Sequence, residues 1–227
     1  MKSGDFVLDL LRETDLTGRT ILLLRHSKRD SFQGIPEHIR PTIEITPEGV
    51  RMATEFGESL SAVAPGRQLF LGHTVARRCQ MTAECIAEGY SSPGNVHMVE
   101  YHRQIDEPVV NLPHFVALRE ELGWQALMKQ WLLGMIPLTV MQDPRRYSDT
   151  HLTRLLSFPN MGEGDVFAVI AHDITLFPIV YSVFGMPVTT IDFLNGVLIS
   201  ANENTAEIRF ADAGCSLRTV LPIPDTV

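Results

Sequence analysis

At 227 residues with 44% hydrophobic side chains, the chain is long enough to fill one core, and at the usual domain size it need not be divided. Its 27 acidic residues outnumber 19 Lys and Arg, and the net charge of −8 argues against a general nucleic-acid or anionic-membrane binder. Three cysteines, Cys79, Cys85 and Cys215, include no CxxC pair, which fits neither a disulfide framework nor a zinc site and leaves them as small core residues.

The first 18 residues carry acids through a short apolar stretch and lack an apolar segment followed by a small-residue cleavage site, so they do not read as a secretory signal. Apolar, β-rich runs at 20–24, 68–72, 96–99, 165–171 and 194–200, with a weaker one at 206–210, predict strands. Helices are expected between them. Thr46-Pro47-Glu48 is a cap residue followed by proline at the first helical position, and Val50, Ala53, Phe56 and Leu60 recur at helical spacing. Residues 75–88, 114–133, 148–157 and 174–184 also suit helices. The apolar-rich stretch from Ile174 to Val188 is broken by Pro178, Ser182 and Gly185 and is too short to span a bilayer, so a soluble, cytoplasmic protein is expected. Alternating strands and helices predict an α/β fold: a mostly parallel central sheet with helices on both faces, in a single domain over 1–227. Residues 91–147, irregular at 91–113 and 134–147, are expected to form a lid or substrate-covering segment.

In an open α/β sheet, ligands sit beyond the carboxyl ends of the strands. The first strand is followed by Arg25, His26 and Arg29, the second by His73, Thr74, Arg77 and Arg78, and the fourth by His172 and Asp173. Guanidiniums match phosphate oxygens in charge and fork geometry, and helix amino termini add N–H groups. Neighbouring cations keep an imidazole neutral and nucleophilic, and a nearby carboxyl group protonates the leaving oxygen. Singly, a histidine or arginine at a strand end is usually structural, and His38, His97, His114 and His151 read that way. His73 and His102 lie near the expected site without a motif behind them. None of the eight histidines has metal-ligand spacing, so no metal is expected.

Three segments resemble the histidine phosphatase superfamily, which includes phosphoglycerate mutases and histidine acid phosphatases. LLLRHSKR (22–29) is similar to a strand followed by Arg-His-Gly, RCQMTAE (78–84) to an Arg-Cys-x-x-Thr-Ala-Glu helix start, and VIAHDITLFPIV (169–180) to a His-Asp-Thr segment. The resemblance implies a phosphoglycerate mutase-like fold and a metal-independent phosphomonoester hydrolase with no cofactor, acting on a small phosphorylated substrate. It makes His26 the nucleophile, with Arg25, Arg29, Arg78 and His172 on the phosphoryl oxygens. Asp173 is the implied proton donor, and Glu100, Asp106, Glu107 and Glu120 are alternatives from the middle segment. Ser27 departs from the pattern, standing where the family has Gly. Arg78 is chosen over Arg77 by its spacing to Thr82. The mutase-type extension after Arg-His-Gly is absent, which favours hydrolysis. Lys28, His38 and Arg40 read as a solvated loop before a second anion site. A phosphate-ligand sensor or regulatory pseudo-phosphatase, and a protein-phosphohistidine phosphatase, remain as alternatives; neither substrate nor oligomeric state is legible.

Overall fold

The fold is known from a computed structural model that describes residues 3–90, 93–101, 105, 107–158, 161–212 and 215–223. Seven strands, β1 (Arg19–Arg25), β2 (Leu69–His73), β3 (Val96–Met98), β4 (Val166–Ala171), β5 (Gly196–Ala201), β6 (Thr205–Asp212) and β7 (Cys215–Pro222), form one sheet in the order β3-β2-β4-β1-β5-β6-β7. The pairs β3/β2, β2/β4 and β4/β1 are parallel, whereas β5, β6 and β7 add an antiparallel meander beside β1. The parallel part is the part that carries the strand ends of interest.

Both faces of the sheet are covered, which explains why β1 reads as an unbroken aliphatic run rather than an alternation. Ile21 and Leu23 enter one core cluster while Leu22 and Leu24 enter the other, and β4 divides likewise into Phe167, Val169 and Ala171 against Val166, Ala168 and Ile170. Helices α1 (Asp5–Arg12), α2 (Pro47–Val63) and α3 (Arg77–Gly89) supply the second cluster. The first is completed by α4 (Leu112–Leu122), α5 (Trp124–Leu132), α6 (Pro144–Leu156) and α7 (Asp173–Phe184). No helix among the described residues is long and apolar enough to cross a membrane.

Several elements differ from expectation. The single helix expected over 114–133 is two, because Gly123 at φ 76° breaks the turn between α4 and α5. Helix α6 begins before residue 148, at Pro144, where the Asp143 side chain accepts from the Arg146 N–H. Helix α1 and strand β7 are not expected from the sequence pattern; α1 buries Val7, Leu8, Leu10 and Leu11, and β7 is an exposed edge strand with a weak apolar pattern.

The start of α2 fixes the loop after β1. Thr46 caps the helix by accepting from the Gly49 N–H, and its own N–H donates to the Lys28 carbonyl at 2.9 Å. A Cβ on Gly49 would lie 2.2 Å from that same carbonyl oxygen, so only glycine lets helix and loop meet this closely. Gly49→Ala is therefore expected to destabilise the fold by about 1–3 kcal/mol, the usual cost of overpacking, measured as a lower urea midpoint at unchanged slope.

Candidate functional site

Because β2, β4 and β1 are parallel neighbours, their carboxyl ends bring Thr74, His172, Arg25 and His26 to one edge of the sheet. His26 is 2% exposed. Its backbone N–H donates to the Ala171 carbonyl, and its ring Nδ1 lies 2.7 Å from the Ser27 carbonyl oxygen. A carbonyl only accepts, so Nδ1 carries the hydrogen and Nε2 keeps its lone pair.

Ser27 is not left-handed: among the described residues the only non-glycine with positive φ is Leu194. Its Cβ costs nothing there, and its hydroxyl donates to the Gly49 carbonyl at 2.7 Å. The Ser27 N–H donates to Thr82 Oγ1, and that hydroxyl donates to the Arg78 carbonyl one turn back on α3. Thr82 thereby ties the loop bearing His26 to the helix bearing Arg78.

Arg78 is 7% exposed, and its guanidinium donates to the Arg40 carbonyl at 2.9 Å. Its second terminal nitrogen lies 3.2 Å from His172 Nδ1. A guanidinium only donates, so His172 Nδ1 accepts, and Nε2–H donates to Thr74 Oγ1 at 3.1 Å. Arg77 turns outward to Glu44 and Glu84. Arg25 donates to the Ile191 carbonyl, stacks over Phe193 and stands 3.5 Å from Asp173 Oδ2. Arg29 donates to the Asp30 carbonyl and stacks on Phe32 with its guanidinium carbon 3.4 Å from the ring centre. The His26 and His172 ring centres are 5.5 Å apart.

The structure thus brings together His26, His172, Arg25, Arg29, Arg78 and Asp173, and leaves other candidates elsewhere. His73 faces the Thr74 carbonyl, and His97 stacks on Phe70 away from this edge. His151 is buried against Tyr147. Lys28 pairs with Glu48, His38 is exposed, and Arg40 pairs with Glu37, which also meets Arg119 of α4. Glu100 and Glu120 are exposed. His102 and Asp106 lie outside the described residues. Segment 91–147 is not a free flap where described: Phe115, Leu127, Met128 and Trp131 belong to the first core cluster. The turn at Glu37–Thr42 reaches the site through the Arg40 carbonyl, and the loop before it through Phe32; both meet the Arg78 guanidinium. Sequence reasoning missed Thr74 as the partner of His172, and missed Phe32 and Phe193; no local pattern marks any of the three.

Burial lowers the pKa of His26 well below the ordinary imidazole value, with the His172 and Arg78 charges acting in the same direction and the Ser27 hydrogen bond opposing. His172 is lowered by burial first and then by Arg78, Arg29 and Arg25. Arg29 is brought down to about 10 by burial and by Arg78 and Arg25, and still remains a cation at neutral pH. Cys79 is pushed up to about 12 by burial. Both buried imidazoles are thus neutral when folded yet bind protons near pH 6.5 when unfolded. Folding stability is expected to be full above that value and to fall as pH drops below it, by up to about 1.4 kcal/mol per pH unit for each group. Urea titrations at pH 7.5 and 5.5 measure the difference, and His172→Gln is expected to reduce it.

No protein-family model and no curated protein matches the chain. Solved structures do. A phosphoglycerate mutase from Bacillus anthracis str. Sterne superposes with a TM-score of 0.55 at 13% identity, over 93% of this chain and 95% of that one. The chain has a phosphoglycerate mutase-like α/β fold. YhfR of Bacillus stearothermophilus shares that fold with a TM-score of 0.55 at 13% identity, covering 82% of this chain and 92% of its own. A mycobacterial glucosyl-3-phosphoglycerate phosphatase, Rv2419c, complexed with VO3, shares it with a TM-score of 0.53 at 16% identity, over 81% and 92%.

Proposed function

We propose that this protein is a phosphomonoester hydrolase that works through a phosphohistidine at His26 and needs neither metal nor organic cofactor. One observation carries the reading. Around the neutral His26 imidazole, Arg25, Arg29 and Arg78 each hold a buried Nε–H group with no partner among the described residues. Crowded cations with unpaired donors favour a dianion that accepts all of them, and phosphate fits in charge and in number of oxygens.

The chemistry proceeds in two displacements. His26 Nε2 attacks phosphorus, the phosphorus–oxygen ester bond breaks, and the leaving oxygen takes a proton from a carboxyl group. Water then attacks the phosphohistidine, gives a proton back to that carboxylate, and releases phosphate and free His26. Arg25, Arg29, Arg78 and His172 bear on the phosphoryl oxygens in both steps. Two carboxyl groups qualify as the donor. Asp173 stands 3.5 Å from the Arg25 guanidinium through Oδ2, and its Oδ1 accepts from the Ile174 N–H, so both of its oxygens are already engaged. Glu107 is exposed as a residue, yet crowding by the surrounding protein pushes its carboxyl up, with Arg78 opposing and Glu37 and Asp173 adding to the rise. On this reading Glu107 supplies the proton, and Asp173 is the counterion that orients Arg25.

Hydrolysis of p-nitrophenyl phosphate, unchanged by EDTA, tests the function. The donor is read from leaving-group dependence. Glu107→Gln is expected to lower kcat/KM for glycerol phosphate by about 10²-fold or more while sparing p-nitrophenyl phosphate, whose leaving group needs no proton. The same pattern in Asp173→Asn instead returns the role to Asp173. The Ser27 departure that motivated a weakly active sensor is accommodated by its backbone and hydroxyl contacts, and the deep burial of His26 favours a small molecule over a protein partner.

A further inference from the structure

The chain contains eleven phenylalanines. Nine of them either belong to the two hydrophobic core clusters, as Phe56, Phe167 and Phe177 do, or pack against them, and Phe32 and Phe193 do neither. Both of these rings are only partly buried, and both lie against the guanidiniums around His26. Arg25 stands 4.4 Å over Phe193, whose ring centre is 5.9 Å from that of His26. Arg29, Arg40 and Arg78 lie 3.4, 5.1 and 5.2 Å from the centre of Phe32. Val75, 75% exposed, comes after β2 on the same edge of the sheet. Part-exposed phenyl rings outside the core add little to folding. At the mouth of an anion site they offer a flat apolar surface beside cations, and a planar ring gains more from such a surface than a saturated one.

Resting on the phosphatase reading above, we propose that the site selects phosphate monoesters whose leaving group carries an aromatic ring one or two bonds from the ester oxygen, packed against Phe193 and Phe32. The 5.9 Å between the Phe193 and His26 ring centres suits a phenolic or benzylic ester, whose ring lies closer to the phosphate than a sugar spacer would hold it.

Benzylphosphonate and cyclohexylmethylphosphonate separate aromaticity from leaving-group chemistry, since they carry the same anion and a ring of the same size and are not hydrolysed. Calorimetry on the wild-type protein is expected to show about tenfold tighter binding of the benzyl compound. Phe193→Leu and Phe32→Leu are expected to bring that ratio toward one, whatever happens to anion affinity itself, and Phe193→Trp to keep it. Equal affinities in the wild type, or a ratio untouched by both leucine variants, would overturn the proposal. If that happens while His26-dependent hydrolysis of p-nitrophenyl phosphate persists, the phosphatase reading stands without it. A wild type that binds neither the phosphonates nor inorganic phosphate sinks both. Adenosine 5′-monophosphate binding no more weakly than benzylphosphonate would also count against it, by showing that a ring beyond a sugar is accepted.

Discussion

His26→Ala is expected to lower phosphomonoester hydrolysis by about 10⁴-fold or more, with the fold retained. The size reflects the absence of a substitute nucleophile at the described site. Cys79 packs beside His172, but burial holds its thiol at about 12, so it stays protonated at neutral pH. His172 cannot replace His26, because its one ring lone pair, at Nδ1, already accepts from Arg78. Rapid quenching with labelled substrate is expected to trap an acid-labile, base-stable phosphoprotein in the wild type and none in the variant. A variant that keeps more than a tenth of the activity sinks the phosphohistidine route.

Arg78→Ala is expected to cost about 10²–10³-fold in kcat/KM, the range for removing one preorganised donor from developing charge. Arg78→Lys is expected to recover little of it. A lysine is a point charge and cannot hold the Arg40 carbonyl, His172 Nδ1 and a phosphoryl oxygen together. A second effect distinguishes this residue from a merely structural arginine. Arg78 lowers the pKa of both His26 and His172, so its removal lets both rise toward the ordinary imidazole value. The acid limb of kcat/KM is therefore expected to move upward in pH, because His26 becomes protonated and inert sooner on acidification. Loss of rate without any movement of that limb would assign Arg78 to folding alone.

Much of this site could be read from order along the chain. A strand in a parallel sheet must place its next residue at the ligand edge, so Arg25–His26 and His172–Asp173 announce themselves by coming directly after aliphatic runs. The choice between Arg77 and Arg78 was also legible, because a helix presents adjacent residues to different sides, and Thr82 is one turn from Arg78. Residues that obey no period stayed hidden. Phe32 lies in an irregular loop, Phe193 in the approach to β5, and Glu37 meets Arg119 across 82 residues of chain. The two helices α4 and α5 read as one because a lone glycine is compatible with either a weakened helix or a break, and only packing decides between them.

By itself the sequence determined the sheet's buried strands, most of the covering helices and the chemical identity of the strand-end residues, because hydrophobic periodicity and capping are local effects of side chains a few residues apart. Tertiary structure alone decided which nitrogen of His26 is free, since that depends on the Ser27 carbonyl. It alone placed Thr74 on His172, gave Ser27 an unstrained backbone and brought Glu107 within electrostatic reach of Arg78 and Asp173. Tautomers, proton affinities and the shape of a site's mouth are set by groups far apart in the chain that meet only when the sheet closes them together, and no local pattern records that meeting.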